Sequence, residues 1–231
     1  MITPNFLKEG DTVGIVATAR KISQMEINPA VNKLKEWGLK TVSADNINAS
    51  QNQFAGSDEE RVAAFQKLLD DDSVKAILCG RGGYGTIRII QKLDFSRFLK
   101  NPKWIIGYSD ITVLHAYIQN KLGIESLHAT MPINFPFTGN DSESTESLRK
   151  TLFGEIPSYK NLPHHELNRQ GNAKAPIIGG NLSVIYSIRG TSFDFDTDGK
   201  ILFLEDLDEY LYHIDRMMWN LKVGGKLDNL K

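Results

Sequence analysis

Val74-Lys-Ala-Ile-Leu-Cys79 is a short, largely apolar run that stops at the glycine-rich turn Gly80-Arg-Gly-Gly-Tyr-Gly85. Its length and the glycines that bound it predict a buried strand. The same pattern recurs at residues 12–17, 39–44 and 103–107, and helical periodicity fills the segments between them. Because strands joined by helical crossovers run parallel, this part of the chain predicts an open, mostly parallel α/β sheet with helices on both faces.

Two helices are predicted to begin at capping boxes, in which a serine and a glutamate three residues later satisfy backbone N–H groups. Ser57 and Glu60 precede one apolar helical face, and Ser23 and Glu26 precede another. Asn28-Pro29 is an alternative start for the latter helix, because proline at the first helical position lacks only an unpaired N–H group. Ligands of such sheets bind beyond the carboxyl ends of the strands, so we expect the functional residues there.

The pattern changes in residues 156–171, which contain two prolines, two adjacent histidines and little periodicity. This composition is typical of a linker, so we expect an N-terminal domain of residues 1–155 and a C-terminal α/β domain of residues 172–231. The second domain has a strand at residues 200–204 and an amphipathic helix after it. Because it is small for an independent core, we expect it to be incomplete.

The composition excludes several classes of protein. Lys and Arg total 27 against 28 Asp and Glu in 231 residues, a formal charge of -1, so we expect no nucleic-acid partner. No apolar run approaches the roughly 20 residues that cross a bilayer, so we expect no membrane partner. A lone cysteine, Cys79, and an N-terminus without the regions of a signal peptide predict a cytoplasmic protein.

Gly107-Tyr-Ser-Asp-Ile111 lies where a predicted strand passes into a helix. A serine on such a tight turn is held above the sheet edge, beside helix N-terminal amides that can stabilise an oxyanion. The match to G-x-S-x-G is imperfect, because Ile111 stands at the second glycine and the close packing there must be achieved differently. The alternative is that Ser109 or Asp110 only caps the helix.

The glycine-rich turn after Cys79 projects its amides from the same edge of the sheet. Glycines allow successive N–H groups to point at one anion, a phosphate or the oxygen of a tetrahedral intermediate. The turn lacks the Gly-Lys-Ser/Thr ending of a P-loop and the G-x-G-x-x-G spacing, so nucleotide binding is a minor alternative. A purely structural tight turn is the other.

A nucleophilic serine needs a base, and the base needs an orienting carboxylate. Among the five histidines, His128 falls at a strand end and could line the site, whereas His115 faces away from Ser109 on its helix. His213 lies on a helix and His164 and His165 in the linker, and none has the geometry of a base. No histidine, cysteine or carboxylate spacing resembles a metal site, so we expect no metal and no cofactor.

Two acids, Glu205 and Asp206, stand at the end of the apolar strand Ile201-Leu-Phe-Leu204 in the second domain. A carboxylate buried there would need a strong partner to stay ionised, and one of the two could orient a histidine. The alternative is that both belong to a solvated loop.

The sequence resembles the LD-carboxypeptidases, also called muramoyltetrapeptide carboxypeptidases, a family that includes the microcin C self-immunity peptidases. Six blocks carry the likeness in the family's order: Gly10-Asp-Thr-Val-Gly-Ile-Val-Ala17, Phe54-Ala-Gly-Ser-Asp-Glu-Glu-Arg61, Gly80-Arg-Gly-Gly-Tyr-Gly85, Gly107-Tyr-Ser-Asp-Ile-Thr112, Gly179-Gly-Asn-Leu182 and Leu202-Phe-Leu-Glu-Asp206. The resemblance implies a metal-free serine peptidase that releases terminal D-alanine from cytoplasmic murein tetrapeptide by cutting an L,D-amide bond, and it implies a homodimer.

The resemblance also implies the roles of individual residues. Ser109 becomes the nucleophile, Glu205 the carboxylate that orients the histidine, and the backbone N–H groups of Gly83 and Asp110 the oxyanion hole. It further implies substrate contacts at three positions, Arg81, Tyr84 and Asn181.

Two departures from the family leave alternatives open. The family's catalytic histidine is expected beyond Lys231, and its His-Gly-Pro stretch is replaced by His128-Ala-Thr-Met-Pro132. The first hypothesis is therefore a serine peptidase whose histidine lies outside this sequence. The second is an inactive module that binds muropeptide, and a third is an amide hydrolase of the self-immunity type.

Overall fold

The computed structural model describes residues 1–137, 142–159 and 165–231. The strands are β1 (Thr12–Val16), β2 (Lys40–Ser43), β3 (Val74–Cys79), β4 (Trp104–Gly107), β5 (Leu127–His128), β6 (Ile177–Asn181) and β7 (Ile201–Glu205). The helices are α1 (Gln24–Glu36), α2 (Asp58–Asp70), α3 (Thr86–Ile89), α4 (Ser96–Lys100), α5 (Thr112–Tyr117), α6 (Glu143–Leu152), α7 (Leu182–Ile188) and α8 (Leu211–Val223).

The first five strands form one parallel sheet in the order β2-β1-β3-β4-β5. The chain starts near the middle of this sheet, moves outward to β2, and then crosses back to add β3, β4 and β5 on the other side. β6 and β7 form a separate parallel pair. The predicted α/β fold with an open parallel sheet is therefore confirmed.

The two faces of the large sheet are covered by different helices. Val13 and Ile15 of β1 pack in one apolar cluster with α1 and α6, whereas Val16 packs in a second cluster with α2 and α5. Alternate residues of a strand point to opposite faces, so a run of apolar residues supplies both cores at once. This double burial is the reason that the inner strands are continuously apolar.

Both predicted capping boxes are present, at Ser57 for α2 and at Ser23 for α1. The alternative start of α1 at Asn28-Pro29 is wrong, because Pro29 lies inside the helix. The prediction of a buried strand at residues 39–44 is also wrong in its burial. β2 is an edge strand, and most of its side chains are exposed.

The small sheet packs directly on α5. A Cβ atom at Gly180 of β6 would lie 2.5 Å from Oγ1 of Thr112, so only glycine allows this approach. The adjacent backbone N–H of Asn181 donates to the same hydroxyl over 3.0 Å. Apolar residues of α7 and α8, such as Ile185 and Leu221, join the cluster that contains α5.

The division into domains at residues 156–171 stays a prediction, and its residues 160–164, which include His164, lie outside the described part of the chain. Across the residues that the structure describes, no helix combines the length and apolarity needed to cross a membrane.

A buried lysine closes the C-terminal end of α2. Lys103 is 1% exposed, and its ammonium donates to the carbonyl oxygens of Leu68, Leu69 and Asp71 over 3.0, 3.0 and 2.7 Å. These carbonyls belong to the last turn of a helix and the residue after it, where intrahelical partners are missing. A cation there also interacts favourably with the helix dipole.

Replacing Lys103 by methionine should lower the free energy of unfolding by about 1–3 kcal/mol, because buried carbonyl groups lose their donor while the volume is kept. Urea unfolding measures the change. Lys100→Met, at an exposed position on α4, serves as the control and should shift stability by less than about 0.5 kcal/mol. Equal midpoints for wild type and Lys103→Met would contradict the prediction.

Candidate active site

Ser109 occupies a strained turn between β4 and α5. Its φ angle is +60°, a left-handed conformation that non-glycine residues seldom adopt. The strand ends at Gly107 and the helical turn begins at Ser109 itself, so the side chain stands at the carboxyl edge of the sheet. The geometry is the sharp strand-to-helix turn that exposes a nucleophilic serine in α/β hydrolases.

Gly107 compensates for the isoleucine at the second glycine position of the motif. A Cβ atom at Gly107 would lie 2.8 Å from Cγ1 of Ile111 and 3.1 Å from its Cγ2. Ile111 is fully buried. The isoleucine therefore packs against the bare backbone of Gly107, and the turn stays tight with one glycine in place of two.

The glycine-rich turn lies against Ser109. A Cβ atom at Gly82 would be 3.0 Å from Cβ and 3.1 Å from Oγ of Ser109. Gly83 follows with a φ angle of +112°, which favours glycine. The turns that carry Gly83 and Asp110 therefore adjoin each other, and Gly82 lies against the serine hydroxyl.

A buried polar network holds these turns together. The Asp110 side chain, 3% exposed, accepts a hydrogen bond from the backbone N–H of Thr86 over 2.8 Å. Thr86 shares a hydrogen bond of 3.0 Å with Thr18 through their hydroxyl groups. Burial raises the pKa of Asp110. Its carboxyl group therefore serves to position the turn, and it is its backbone N–H that adjoins Ser109.

Arg61 completes the network from α2. The side chain is fully buried, and Nη1 donates to the carbonyl oxygens of Thr18 and Gly85 over 2.8 and 2.9 Å. Nη2 pairs with Asp58 at the start of the helix, and the guanidinium lies 4.9 Å from the Phe54 ring centroid. This role was not predicted from the sequence. The feature that could have indicated it is the position of Arg61, a charged residue four positions before Phe65 on the apolar face of α2.

Glu205 and Asp206 have different tasks at the end of β7. Asp206 accepts hydrogen bonds from the Asn181 side chain over 3.1 Å and from the backbone N–H of Ser183 over 2.8 Å, so it secures the start of α7. Burial raises the pKa of Glu205; a hydrogen bond from the Asn181 side chain opposes this shift, and the charge of Asp206 adds to it. Its Oε1 is buried and has no hydrogen-bond partner within the described residues. Glu205 thus retains an oxygen that can accept a hydrogen bond. Glu205 and Asp206 therefore do not form the solvated loop that was the alternative.

His128 lies between the serine turn and Glu205. It pairs with Gly107 across β4 and β5, and its Nε2 is 3.8 Å from Oε1 of Glu205. The ring packs edge-on against Phe203, with 5.0 Å between centroids. Burial lowers the pKa of this imidazole. Across the part of the chain that the structure describes, no hydrogen bond joins an imidazole to Oγ of Ser109.

His115 and His213 occupy structural positions. His115 is buried, and its two ring nitrogens bond to the carbonyl oxygen of Gly107 over 2.9 Å and to the Ser126 hydroxyl over 2.8 Å. Burial lowers its pKa to about 4, so the imidazole is neutral. His213 pairs with Glu209 one turn earlier, over 2.7 Å.

The three positions of predicted substrate contact differ in their surroundings. Arg81 and Tyr84 lie within the glycine-rich turn, with Nη1 of Arg81 3.6 Å from Glu26 and Tyr84 half exposed. Asn181 is 7% exposed, and its Oδ1 accepts from the backbone N–H of Val184 over 3.1 Å at the start of α7. These contacts with substrate stay predictions, as do the roles of Ser109 and Glu205.

Two cavities open beside the serine turn. The larger, of about 610 Å³, is lined by residues that include Tyr108, His128, Thr130, Asn134, Ser147 and Tyr159. The other, of about 430 Å³, lies along Gly83, Tyr84, Asp110 and Ser183. Among the described residues no three His, Cys, Asp or Glu side chains cluster as a metal site would require. What the site offers is a serine, backbone amides and a carboxylate, the set used for acyl transfer.

Comparison with known families agrees with a site made of a serine, backbone amides and a carboxylate. The LD-carboxypeptidase N-terminal domain matches residues 13–129, and the LD-carboxypeptidase C-terminal domain matches residues 174–231. The chain belongs to the LD-carboxypeptidase family. The resemblance found in the sequence is therefore confirmed, and with it the class of serine-type carboxypeptidases.

Relatives in this family match most of the chain. A probable murein peptide carboxypeptidase of Bacillus subtilis is 40% identical over 227 residues, which cover 97% of this chain and 71% of the relative. A muramoyltetrapeptide carboxypeptidase from Oxalobacter formigenes has a TM-score of 0.81 at 26% identity, covering 95% of this chain and 74% of that one. An MccF-like protein from Bacillus anthracis has a TM-score of 0.88 at 25% identity, covering 100% and 79%.

Acid should destabilise this LD-carboxypeptidase fold partly through His115. The pKa is about 4 in the folded protein against 6.5 for an ordinary histidine. Between these values the unfolded chain binds a proton that the folded chain does not, so stability falls as the pH drops. Urea unfolding at about pH 7 and about pH 5 should show a loss about 2 kcal/mol larger for wild type than for His115→Gln. An equal loss in both proteins would refute this.

Proposed function

We propose that this chain carries the nucleophile and the oxyanion hole of an LD-carboxypeptidase, with Ser109 as the nucleophile. The observation that carries the proposal is the left-handed turn at Ser109, packed against the glycine-rich turn at Gly82. A left-handed serine costs free energy, and such strain persists where the surrounding structure imposes it, most often at active sites.

The reaction is a two-step acyl transfer. Oγ of Ser109 attacks the amide carbon and loses its proton to a general base, and the negative charge that forms on the carbonyl oxygen meets the N–H groups of Gly83 and Asp110. Each such donor is worth about 2.7–4 kcal/mol to the transition state. The amine leaves with a proton from the base, and water then hydrolyses the acyl-enzyme.

Glu205 is the carboxylate that orients the base. Its buried Oε1 has an acceptor position unused within the described residues. Glu205 lies on β7, and the paired strand β6 packs on α5 at Gly180. We propose that a histidine outside residues 1–231 donates its Nδ1–H to this oxygen and takes the proton of Ser109. Two observations support this: the described imidazoles make no bond to Ser109, and the Bacillus subtilis relative extends beyond the matched 71%.

The names of the relatives support a substrate class. The Oxalobacter protein is a muramoyltetrapeptide carboxypeptidase, and the Bacillus subtilis protein is a probable murein peptide carboxypeptidase. We propose that this chain acts on the same class, cutting the bond between an L-centre and the terminal D-alanine of a murein tetrapeptide. A role in cytoplasmic recycling and a homodimer remain predictions from the family.

Ser109→Ala should lower the rate of D-alanine release from murein tetrapeptide by at least about 10³-fold in the full-length protein, because no other group can form the acyl-enzyme. Release is measured by chromatography of the products. Ser96→Ala, on α4 and far from the turn, is the matched control and should retain the wild-type rate. Undiminished release by Ser109→Ala would overturn the assignment of the nucleophile.

A second candidate function is that of an amide hydrolase of the self-immunity type. The MccF-like neighbour supports it, because its fold covers the whole chain with a TM-score of 0.88. Parallel assays with murein tetrapeptide and an aminoacyl-adenylate analogue distinguish the two substrates by their kcat/KM values. Saturable binding of tetrapeptide by the wild-type protein without release of D-alanine would instead identify a binding module.

A further inference from the structure

We propose that Arg20, Lys21 and Arg81 form a subsite for the free terminal carboxylate of the peptide substrate. The inference rests on the proposed function and adds to it the group that makes the enzyme a carboxypeptidase. The subsite is a cavity of about 300 Å³, called here the Arg20 cavity, whose lining includes Arg20, Lys21, Ser23, Glu26, Asn48 and Arg81.

Arg20 links the Arg20 cavity to the proposed oxyanion hole. A Cβ atom at Gly83 would lie 3.0 Å from Cβ and 3.6 Å from Cδ of Arg20, so the arginine side chain runs along the bare backbone of Gly83. The backbone N–H of Arg20 also donates to the carbonyl of Gly82 over 3.4 Å. Gly82 in turn contacts Ser109.

A terminal carboxylate would lie close to the oxyanion hole of a carboxypeptidase. The carboxylate of a C-terminal residue lies one residue beyond the scissile carbonyl, and adjacent Cα atoms are about 3.8 Å apart. With the scissile carbonyl at the N–H of Gly83, Arg20, whose side chain packs against Gly83, is the cation that we assign to that carboxylate.

The charges in the cavity favour an anion. Three cationic side chains line it against one acid, Glu26. Glu26 already accepts hydrogen bonds from the backbone N–H and the hydroxyl of Ser23, both over 2.8 Å, and it lies 3.6 Å from Arg81. Lys21 donates to the Ser50 hydroxyl over 3.2 Å, and within the described residues neither Lys21 nor Arg20 pairs with an acid. Positive charge therefore remains available to a ligand.

Arginine suits a carboxylate better than it suits a continuing peptide. Its planar guanidinium binds both carboxylate oxygens at once, through charge-assisted hydrogen bonds that are about twice as strong as neutral ones. An internal amide offers a single neutral carbonyl oxygen in the same place. The cavity therefore selects peptides that end one residue after the cleaved bond.

The test separates binding from turnover. Calorimetry in a Ser109→Ala background compares a murein tetrapeptide ending in a free carboxylate with the same peptide ending in a carboxamide. The carboxylate form should bind about 10–50-fold more tightly, and Arg20→Gln should remove most of that difference while changing the affinity for the carboxamide less than about 2-fold.

Two matched variants of the full-length protein guard against an effect of misfolding. Glu26→Gln keeps the capping box of α1, because glutamine serves at that position, and by removing the acid it should tighten binding of the carboxylate peptide about 2–5-fold. Arg97→Gln removes an exposed arginine that pairs with Asp72 over 3.2 Å, remote from the Arg20 cavity, and should leave the affinities unchanged.

An equal loss of affinity for both peptides in Arg20→Gln, or no loss for either, would overturn the subsite. The proposed function is judged separately, by D-alanine release from the protein with Ser109 intact. Selectivity for the carboxylate that depends on Arg20 supports the subsite even in a protein that releases no D-alanine. Normal release with unchanged selectivity in Arg20→Gln leaves the peptidase in place and removes the subsite.

Discussion

The buried guanidinium of Arg61 is the contact on which the rest of the site depends. It binds the carbonyl oxygens of Thr18 and Gly85, so it joins the loop after β1 to the loop after β3 at the edge where ligands of parallel sheets bind. A buried charge is costly unless it is paired, and the partner is Asp58 at the start of α2. Helix, loops and sheet edge are therefore held in one arrangement by a single side chain.

Close packing against bare backbone sets the shape of the site around that contact. Ser109 packs on Gly82 at a distance that a Cβ atom would make tight, and Ile111 packs on Gly107 and Thr112 on Gly180 at distances that a Cβ atom would block. The last of these brings the small sheet onto α5, and the register of β6 with β7 then pairs Asn181 with Glu205. The position of the acid is thus set by a glycine that lies 25 residues earlier in the sequence.

Burial gives the ionisable groups different roles. Asp110 and Glu205 both have a raised pKa because of burial, yet Asp110 bonds to Thr86 whereas Glu205 keeps a buried oxygen without a partner in the described residues. His115 is neutral and supports the carbonyl of Gly107. Within one sheet edge, Asp110 and His115 are hydrogen-bonded to the turns that they position, and the carboxylate proposed for catalysis retains an unused acceptor.

The sequence by itself determined the parallel sheet, the capped start of α2, and the strand-to-helix turn at Ser109, because periodicity, caps and turns are properties of neighbouring residues. It could not determine that β2 is an exposed edge or that Pro29 lies within α1. Nor could it place Arg61 under the glycine-rich turn or His128 at 3.8 Å from Glu205. These features depend on the order of the strands and on contacts between residues distant in the chain, and only the tertiary structure decides which of those residues meet.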